Sequence, residues 1–157
     1  MLGRRAVLLI GDERNRSFDS LPAGMIAVNY APFQSLLGRA CAMVHHGGIG
    51  TTSQGLRAGI PTLIVPFAFD QSDNAEHARR LGTSRTLYRQ QYKAARVADE
   101  LKKLLDDLQY AINAREVGEA LRRENGTATA CDRIEEFMGL SPVEAEEDTE
   151  LAYASRN

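Results

Sequence analysis

A glycine-dense turn from His46 to Thr51 carries the residue types that bind phosphate. Its glycines are Gly47, Gly48 and Gly50. Glycine lets a phosphate approach the backbone closely, and a helix that starts here directs unpaired N–H groups and about half a positive charge at an anion. His46 adds an imidazole N–H, and Thr51 or Thr52 adds a hydroxyl. These residues predict a site for a phosphorylated ligand, in which several contacts must converge to hold a diphosphate.

The turn belongs to a predicted strand–helix–strand unit over residues 41–74. A short apolar run ends at His45, and the following helix stops at Gly59, with a proline two residues later. The next apolar run reaches Pro66, and the polar pair Asp70 and Gln71 follows. Parallel strands of an α/β sheet end at one edge, where ligands bind. We therefore expect both turns to emerge at the same edge.

Other interpretations of this unit compete with a diphosphate site. One is a glycine-rich connection that binds nothing. Another is a degenerate dinucleotide fingerprint that starts at Gly48, with Asp70 on the ribose. It fits poorly because Ser53 stands where a third glycine or alanine is needed, and because Asp70 lies beyond Pro66. Asp70 also suits the N-cap of a helix over residues 72–81.

Three patterns follow one another along the unit: HHGGxGT, then GxP, then PxxxDQxxNA. Together they resemble the nucleotide-sugar signature of the UDP-glycosyltransferases with the two-domain GT-B fold, above all the bacterial branch that glycosylates lipids, sterols and macrolides. The resemblance extends with less force from Arg4 to Gly139. The diphosphate contacts that it implies are His46, Gly48, Gly50 and Thr51. The sugar contacts that it implies are Asp70 and Gln71, with a UDP- or dTDP-sugar as substrate, no cofactor and no metal.

Two more positions relate to the nucleotide in this family. Tyr30 lies in a turn similar to the family's W/Y-x-P element, which implies a ring against the base; such stacking contributes about 1–3 kcal/mol. On the residues alone, Tyr30 equally suits packing at a strand end. Plant members have glutamine after the proline and glutamate at a ribose-binding position, where this chain has Phe33 and Gln54. Gln54 either reaches the nucleotide from the first helical turn or lies in solvent, and the choice between uracil and thymine stays open.

The rest of the chain alternates predicted strands with predicted helices. The predicted fold class is α/β: a Rossmann-like doubly wound parallel sheet of about five strands, the C-terminal half of a GT-B fold, followed by C-terminal helices. An apolar stripe on the last helix includes Cys131 and Phe137 and predicts core packing for Cys131. Residues 1–140 are expected to form one donor-binding domain, and 141–157 an acidic, mobile tail.

Composition narrows the classes of function. The 157 residues have a formal net charge of −2, which gives no electrostatic reason for binding nucleic acid or an anionic membrane. No apolar run reaches the roughly 18 residues of a membrane span, and the first one is too short for a secretory signal. The two cysteines, Cys41 and Cys131, fit free thiols in a reducing compartment, so we predict a cytoplasmic protein.

The resemblance also implies parts that this sequence does not contain. Family enzymes carry the acceptor pocket and the catalytic base, usually a histidine, in an N-terminal domain; His77 suits a surface position instead. The strand that opens their C-terminal domain is absent as well, and in the order 3-2-1-4-5-6 it is central. We therefore expect no activity without an acceptor domain or subunit, and self-association to cover the gap. A non-catalytic nucleotide-binding or interaction module and, more weakly, a NAD-binding oxidoreductase domain are the alternatives.

Overall fold

The computed structural model describes residues 2–140, which fall into two compact units, one through Arg123 and one from Glu124. The predicted tail at 141–157 lies outside the described residues. All of the predicted site residues belong to the first unit.

Five strands and five α-helices lie among residues 2–123. The strands are β1 (Ala6–Leu9), β2 (Met25–Val28), β3 (Met43–His45), β4 (Thr62–Ile64) and β5 (Ser84–Thr86). The helices are α1 (Phe33–Leu37), α2 (Ile49–Ala58), α3 (Gln71–Arg80), α4 (Ala94–Asp106) and α5 (Leu108–Arg123). This order confirms the predicted alternation of strands and helices.

All strand pairs in the described chain are parallel, as the alternation predicts. β1 pairs with β2, and β3, β4 and β5 form a second sheet with β4 at its centre. The α/β class with about five strands is therefore confirmed. The five strands do not form one sheet: among the described residues, β1 and β2 are not paired with β3, β4 and β5. The family resemblance implies a missing central strand at such a division.

The core lies on both faces of β4. Leu63 and Val65 pack with Leu104 of α4 on one face, and Ile64 packs with Ala75 of α3 on the other. Successive side chains of a strand point to opposite faces, so a strand whose residues are all buried, as in β4, is covered on both sides. Each large aliphatic side chain buried here contributes about 1.5–3 kcal/mol. β4 thereby anchors the loop that follows it.

Glycines bring α2 close to its neighbours. The helix ends at Gly59, which has a left-handed φ of +72° and donates its N–H to carbonyls of the last turn, so the predicted stop is confirmed. A Cβ on Gly118 of α5 would lie 2.7 Å from the Gly59 Cα, and a Cβ on Gly55 would lie 2.9 Å from the Thr62 methyl carbon. These close contacts fix the direction of α2 and therefore the position of its N-terminus.

The second unit corrects one expectation. Its helix α6 (Gly126–Met138) is capped by the Asn125 side chain and ends at Gly139, as the residues predict. None of its residues is buried, however: Phe137 is 92% exposed, and Cys131 is exposed. The prediction of core packing for Cys131 is wrong because helical periodicity shows which residues share a face, and does not show that anything covers that face.

Candidate functional site

The first turn connects the end of β3 to the start of α2. Gly47 has a φ of +92°, a conformation that residues with side chains rarely adopt. A Cβ at Gly47 would lie 2.8 Å from Cγ2 of Ile64 and 3.0 Å from the backbone oxygen of Gln71. Glycine is therefore required both for the shape of this turn and for its close approach to the second turn.

The two adjacent histidines have different environments. His45 is 8% exposed, and its Nδ1 accepts the Gly47 N–H at 3.1 Å. Burial, together with the neighbouring His46, lowers the pKa of His45 to about 4. The ring is therefore neutral at pH 7 and carries its proton on Nε2, which is buried and lacks a hydrogen-bond partner among the described residues. Sequence reasoning gave His45 no role, whereas the structure shows that it holds the turn.

His46 faces solvent beside the start of α2. A Cβ on Gly48 would lie 2.6 Å from Nε2 of His46, so the imidazole lies directly over this glycine. A Cβ on Gly50 would meet no heavy atom within 4 Å. Gly48 is the N-cap residue of α2, and no side chain caps the helix. The first N–H groups of α2 therefore meet accessible space beside an imidazole.

The threonines at the start of α2 differ in what their hydroxyls do. Thr52 is 4% exposed, and its Oγ1 donates to the Gly48 carbonyl at 3.0 Å. Thr51 is half-buried and lies one residue nearer the helix N-terminus. Of the two hydroxyls that the sequence left open, that of Thr52 is therefore engaged within the helix, and a ligand contact of Thr51 stays a prediction. Gln54 is exposed on the next turn, and its contact with a nucleotide stays a prediction.

The second turn leads from β4 into α3. The Oε1 atom of Gln71 accepts the backbone N–H of Phe67 at 2.8 Å and that of Ala68 at 3.1 Å, so the Gln71 side chain holds this turn. Asp70 occupies the N-cap position of α3, but its carboxylate makes no capping hydrogen bond. The prediction that Asp70 caps this helix with its side chain is therefore wrong, because the carboxylate accepts from the Asn74 side chain instead.

Asn74 joins the two turns. Its Nδ2 donates to the carbonyl of Gly47 at 2.9 Å and to Oδ2 of Asp70 at 2.9 Å. An amide nitrogen carries two hydrogens, so both bonds form together. The histidine–glycine turn and the Asp70 carboxylate thus lie at one edge of the three-stranded sheet. Sequence reasoning placed Asn74 in a pattern without a role, although its position one helical turn after Asp70 was an available signal.

Tyr30 follows β2, and its side chain is 80% exposed. The alternative of packing at a strand end is therefore wrong. An exposed phenol ring has the free face that stacking on a base requires. Its contact with a nucleobase stays a prediction.

A cleft lies where β5, α4 and α5 meet. Its lining residues are Arg85, Lys102, Lys103, Asp106, Asp107 and Tyr110. The cations of this cleft are engaged by carboxylates: Arg85 bonds to Glu100, and Lys102 bonds to Asp106. The cleft therefore has little net charge with which to attract a phosphate.

Neither a candidate metal site nor a candidate membrane span is found among residues 2–140. This part of the chain contains no group of three or more histidine, cysteine, aspartate or glutamate side chains that could hold a metal ion. It also contains no helix that is both long and apolar enough to span a membrane.

Known proteins are similar in sequence to this chain over most of its length. The family described as "Erythromycin biosynthesis protein CIII-like, C-terminal domain" matches residues 3–136. The O-mycaminosyltylonolide 6-deoxyallosyltransferase of Streptomyces fradiae is 36% identical over 135 residues, which are 85% of this chain and 31% of that protein. The sterol 3-beta-glucosyltransferase of Kluyveromyces lactis is 34% identical over 132 residues, which are 83% of this chain and 11% of that protein.

Solved structures share the fold. The glycotransferase of kitacinnamycin superposes with a TM-score of 0.76 at 31% identity, over 84% of this chain and 34% of that one. The glycosyltransferase VinC, solved in complex with dTDP, superposes with a TM-score of 0.75 at 26% identity, over 85% of this chain and 34% of that one. This chain thus spans about one third of the length of these two structures.

Proposed function

Because the chain belongs to the family of erythromycin biosynthesis protein CIII-like C-terminal domains, we propose that it binds the nucleotide-sugar donor of a glycosyltransferase. Its relatives include a deoxyallosyltransferase and a sterol glucosyltransferase, and the related VinC was solved with dTDP. A UDP- or dTDP-sugar is therefore the ligand class that we expect.

The observation that carries the proposal is the bridge from Gly47 through Asn74 to Asp70. It holds a turn rich in N–H donors beside a carboxylate. A sugar nucleotide presents an anionic diphosphate covalently attached to a ring of hydroxyl groups. Donors for the first and an acceptor for the second, fixed side by side, match both parts of such a ligand.

In this proposal, each site residue contacts a particular part of the ligand. His46, the glycines Gly48 and Gly50, and the Thr51 hydroxyl hold the diphosphate at the start of α2. The Asp70 carboxylate and the Nε2 of Gln71 bind sugar hydroxyls. Tyr30 stacks on the base, and Gln54 bonds to the nucleotide. The helix N-terminus, the His46 imidazole and the Thr51 hydroxyl stabilise negative charge that grows on the diphosphate as it leaves.

The reaction of the whole enzyme is a displacement at the anomeric carbon. An acceptor hydroxyl oxygen forms the new bond to this carbon, and the bond to the diphosphate oxygen breaks with its electron pair. The acceptor proton passes to a general base. We propose that the base and acceptor pocket lie in the part of the enzyme that this chain does not span, so the chain alone is inactive. A missing general base alone lowers a rate by about 10²–10⁴-fold.

The division into two sheets supports a proposal about partners. Among the described residues, β1 and β3 are both edge strands. One side of each therefore has backbone groups that pair with no other strand. An added strand would satisfy these groups. We propose that an acceptor-domain subunit, or a second copy of this chain, supplies that strand. A monomeric mass in sedimentation at high micromolar concentration would exclude the second copy.

A non-catalytic nucleotide-binding or interaction module is the alternative function. A transferase assay that adds a separately produced acceptor domain distinguishes it, because only a donor domain regains activity.

The predicted cytoplasmic location is supported by two exposed free thiols, Cys41 and Cys131.

A thermal-shift series with UDP, dTDP, ADP, GDP and NAD tests the proposed function. A ligand at 100 times its dissociation constant stabilises a protein by about 2.7 kcal/mol, which is a shift of about 5–11 °C in a chain of this size. We expect UDP or dTDP to raise Tm, and His46→Ala to remove most of the shift. A shift with NAD alone would contradict the proposal. His77→Ala is the matched control, because His77 is an exposed histidine on the far turns of α3.

A further inference from the structure

The turn after β4 contains the one residue other than glycine with a positive φ among residues 2–140. Phe69 has a φ of +58°, and it is followed by Asp70 with φ −73° and ψ −3°. The Ala68 carbonyl accepts the Gln71 N–H at 3.3 Å, so Phe69 is the first central residue of a four-residue turn. Glycine is the usual residue where that position has a positive φ. A phenylalanine there carries backbone strain that a glycine would remove.

Packing of the Phe69 side chain does not offset this strain. It is 96% exposed, so an entire phenyl ring stands in water. The nearby Phe67 is different: it is 52% exposed, with the guanidinium carbon of Arg89 at 5.5 Å from its ring centre. Neither the fold nor helix formation accounts for an aromatic residue at position 69. Strain that persists without benefit to the fold points to a ligand contact.

The backbone around Phe69 is firmly held. Gln71 closes the turn with its own N–H and also accepts the N–H groups of Phe67 and Ala68 through its side chain. Asp70 is held by Asn74, which bonds to the first turn as well. The ring is therefore presented from a braced turn, directly beside the carboxylate and the amide that the proposed function assigns to the sugar.

We infer that Phe69 is a specificity-determining residue whose ring packs on the C–H face of the donor's hexose. This inference rests on the proposed function. A pyranose has hydroxyl groups around its edge and apolar C–H groups on its faces. Asp70 and Gln71 supply hydrogen bonds for the edge, and an exposed phenyl ring beside them supplies an apolar surface for a face. A sugar with hydrogen or methyl substituents toward the ring binds better than one with a hydroxyl there.

Calorimetric titration of the full chain with UDP, UDP-glucose, dTDP and dTDP-glucose tests the inference. The readout is the ratio of the affinities for a sugar nucleotide and its parent nucleotide. In Phe69→Gly we expect this ratio to fall about 3–10-fold, while the affinity for UDP or dTDP stays within about twofold. Tm rises by about 2–4 °C because the strain is gone. Phe69→Tyr keeps the ratio of the wild type.

Phe137→Ala serves as the matched control, because Phe137 is a similarly exposed phenylalanine that is not among the residues assigned to the ligand. Its ratio stays unchanged. An unchanged ratio in Phe69→Gly, or an equal loss of affinity for nucleotide and sugar nucleotide, would overturn the inference while leaving the proposed function in place. Failure of the wild type to bind any of the four ligands would overturn both.

Discussion

The side-chain nitrogen of Asn74 lies 2.9 Å from the carbonyl oxygen of Gly47, across a separation of 27 residues in sequence. The same nitrogen bonds to Asp70. One amide group therefore sets the spacing between the turn assigned to the diphosphate and the carboxylate assigned to the sugar. Because Asn74 is not itself assigned to the ligand, its effect on binding tests whether the two turns act as one site.

Replacing Asn74 with alanine removes both hydrogen bonds and leaves the Gly47 carbonyl without this partner. We expect the free energy of unfolding to fall by about 1–2 kcal/mol in urea titrations. The affinity for UDP-glucose or dTDP-glucose should fall about tenfold, which is equivalent to about 1.4 kcal/mol.

Asn113→Ala is a matched control for this change. Asn113 also donates its amide nitrogen to a glycine carbonyl, that of Gly82, at 3.1 Å, but away from the candidate site. It should lower stability by a similar amount and leave sugar-nucleotide affinity unchanged. Equal affinity losses in the two variants would mean that the effect of Asn74→Ala reflects general destabilisation.

Gly47→Ala should destabilise the fold. The new Cβ would lie 2.8 Å from the Ile64 side chain and 3.0 Å from the Gln71 backbone oxygen, at a φ of +92°. The backbone oxygen cannot move as a flexible side chain does, so the two turns must separate. We expect a loss of about 2–4 kcal/mol in chemical unfolding, from strain and overpacking together. A variant as stable as the wild type would show that the turns are not in close contact.

Gly50→Ala should behave in the opposite way. Its Cβ meets no atom within 4 Å, and alanine has a higher helix propensity than glycine. Stability should stay equal or rise by up to about 1 kcal/mol. Binding of UDP or dTDP should nevertheless weaken severalfold, because the methyl group occupies the space where a diphosphate approaches the start of α2. Unchanged nucleotide affinity in calorimetry would remove Gly50 from the site.

The stability of the chain should depend on the protonation of His45. Burial lowers its pKa from 6.5 to about 4, so between these values the unfolded state binds more protons than the folded state. The stabilisation from neutral His45 is therefore complete above about pH 6.5 and is lost as the pH falls toward 4. The size of this loss is about 3 kcal/mol, at 1.36 kcal/mol for each pH unit.

His45→Asn isolates this contribution. Asparagine accepts a backbone N–H two residues further on and thus replaces the bond to Gly47, but it does not titrate. Unfolding free energies at pH 4.5 and pH 7 should differ less in this variant than in the wild type. An identical pH dependence in the two proteins would show that His45 is not the buried neutral histidine described above.

Local patterns predicted the scaffold well. The strand–helix alternation follows from apolar runs and turn residues, and Gly59 ends α2 as a helix-stop glycine should. Sequence patterns were less informative where a tertiary contact determines the role or the burial of a side chain. Thr52 uses its hydroxyl within α2. Glu100 is a charged residue of α4, yet it is only 5% exposed, and it accepts a hydrogen bond from Arg85.

The second turn, which leads from β4 into α3, also has features that local sequence patterns do not predict. A β-branched or aromatic residue at a positive φ contradicts local preference, so the conformation of Phe69 is not readable from the sequence. Asp70 looked like a helix cap because the spacing allows it, but the Asn74 amide competes for its carboxylate. Residues that serve a ligand are often those that depart from local rules, which makes such departures informative.

We propose that two turns at one sheet edge bind one sugar nucleotide together. Titration of the ¹⁵N-labelled chain with UDP-glucose and dTDP-glucose, followed by amide chemical shifts, tests it most directly. We predict that one of these ligands shifts the amides of 48–51 and those of 70–71 together, with one dissociation constant. Shifts confined to one turn, or centred on the cleft around Arg85, would contradict this proposal.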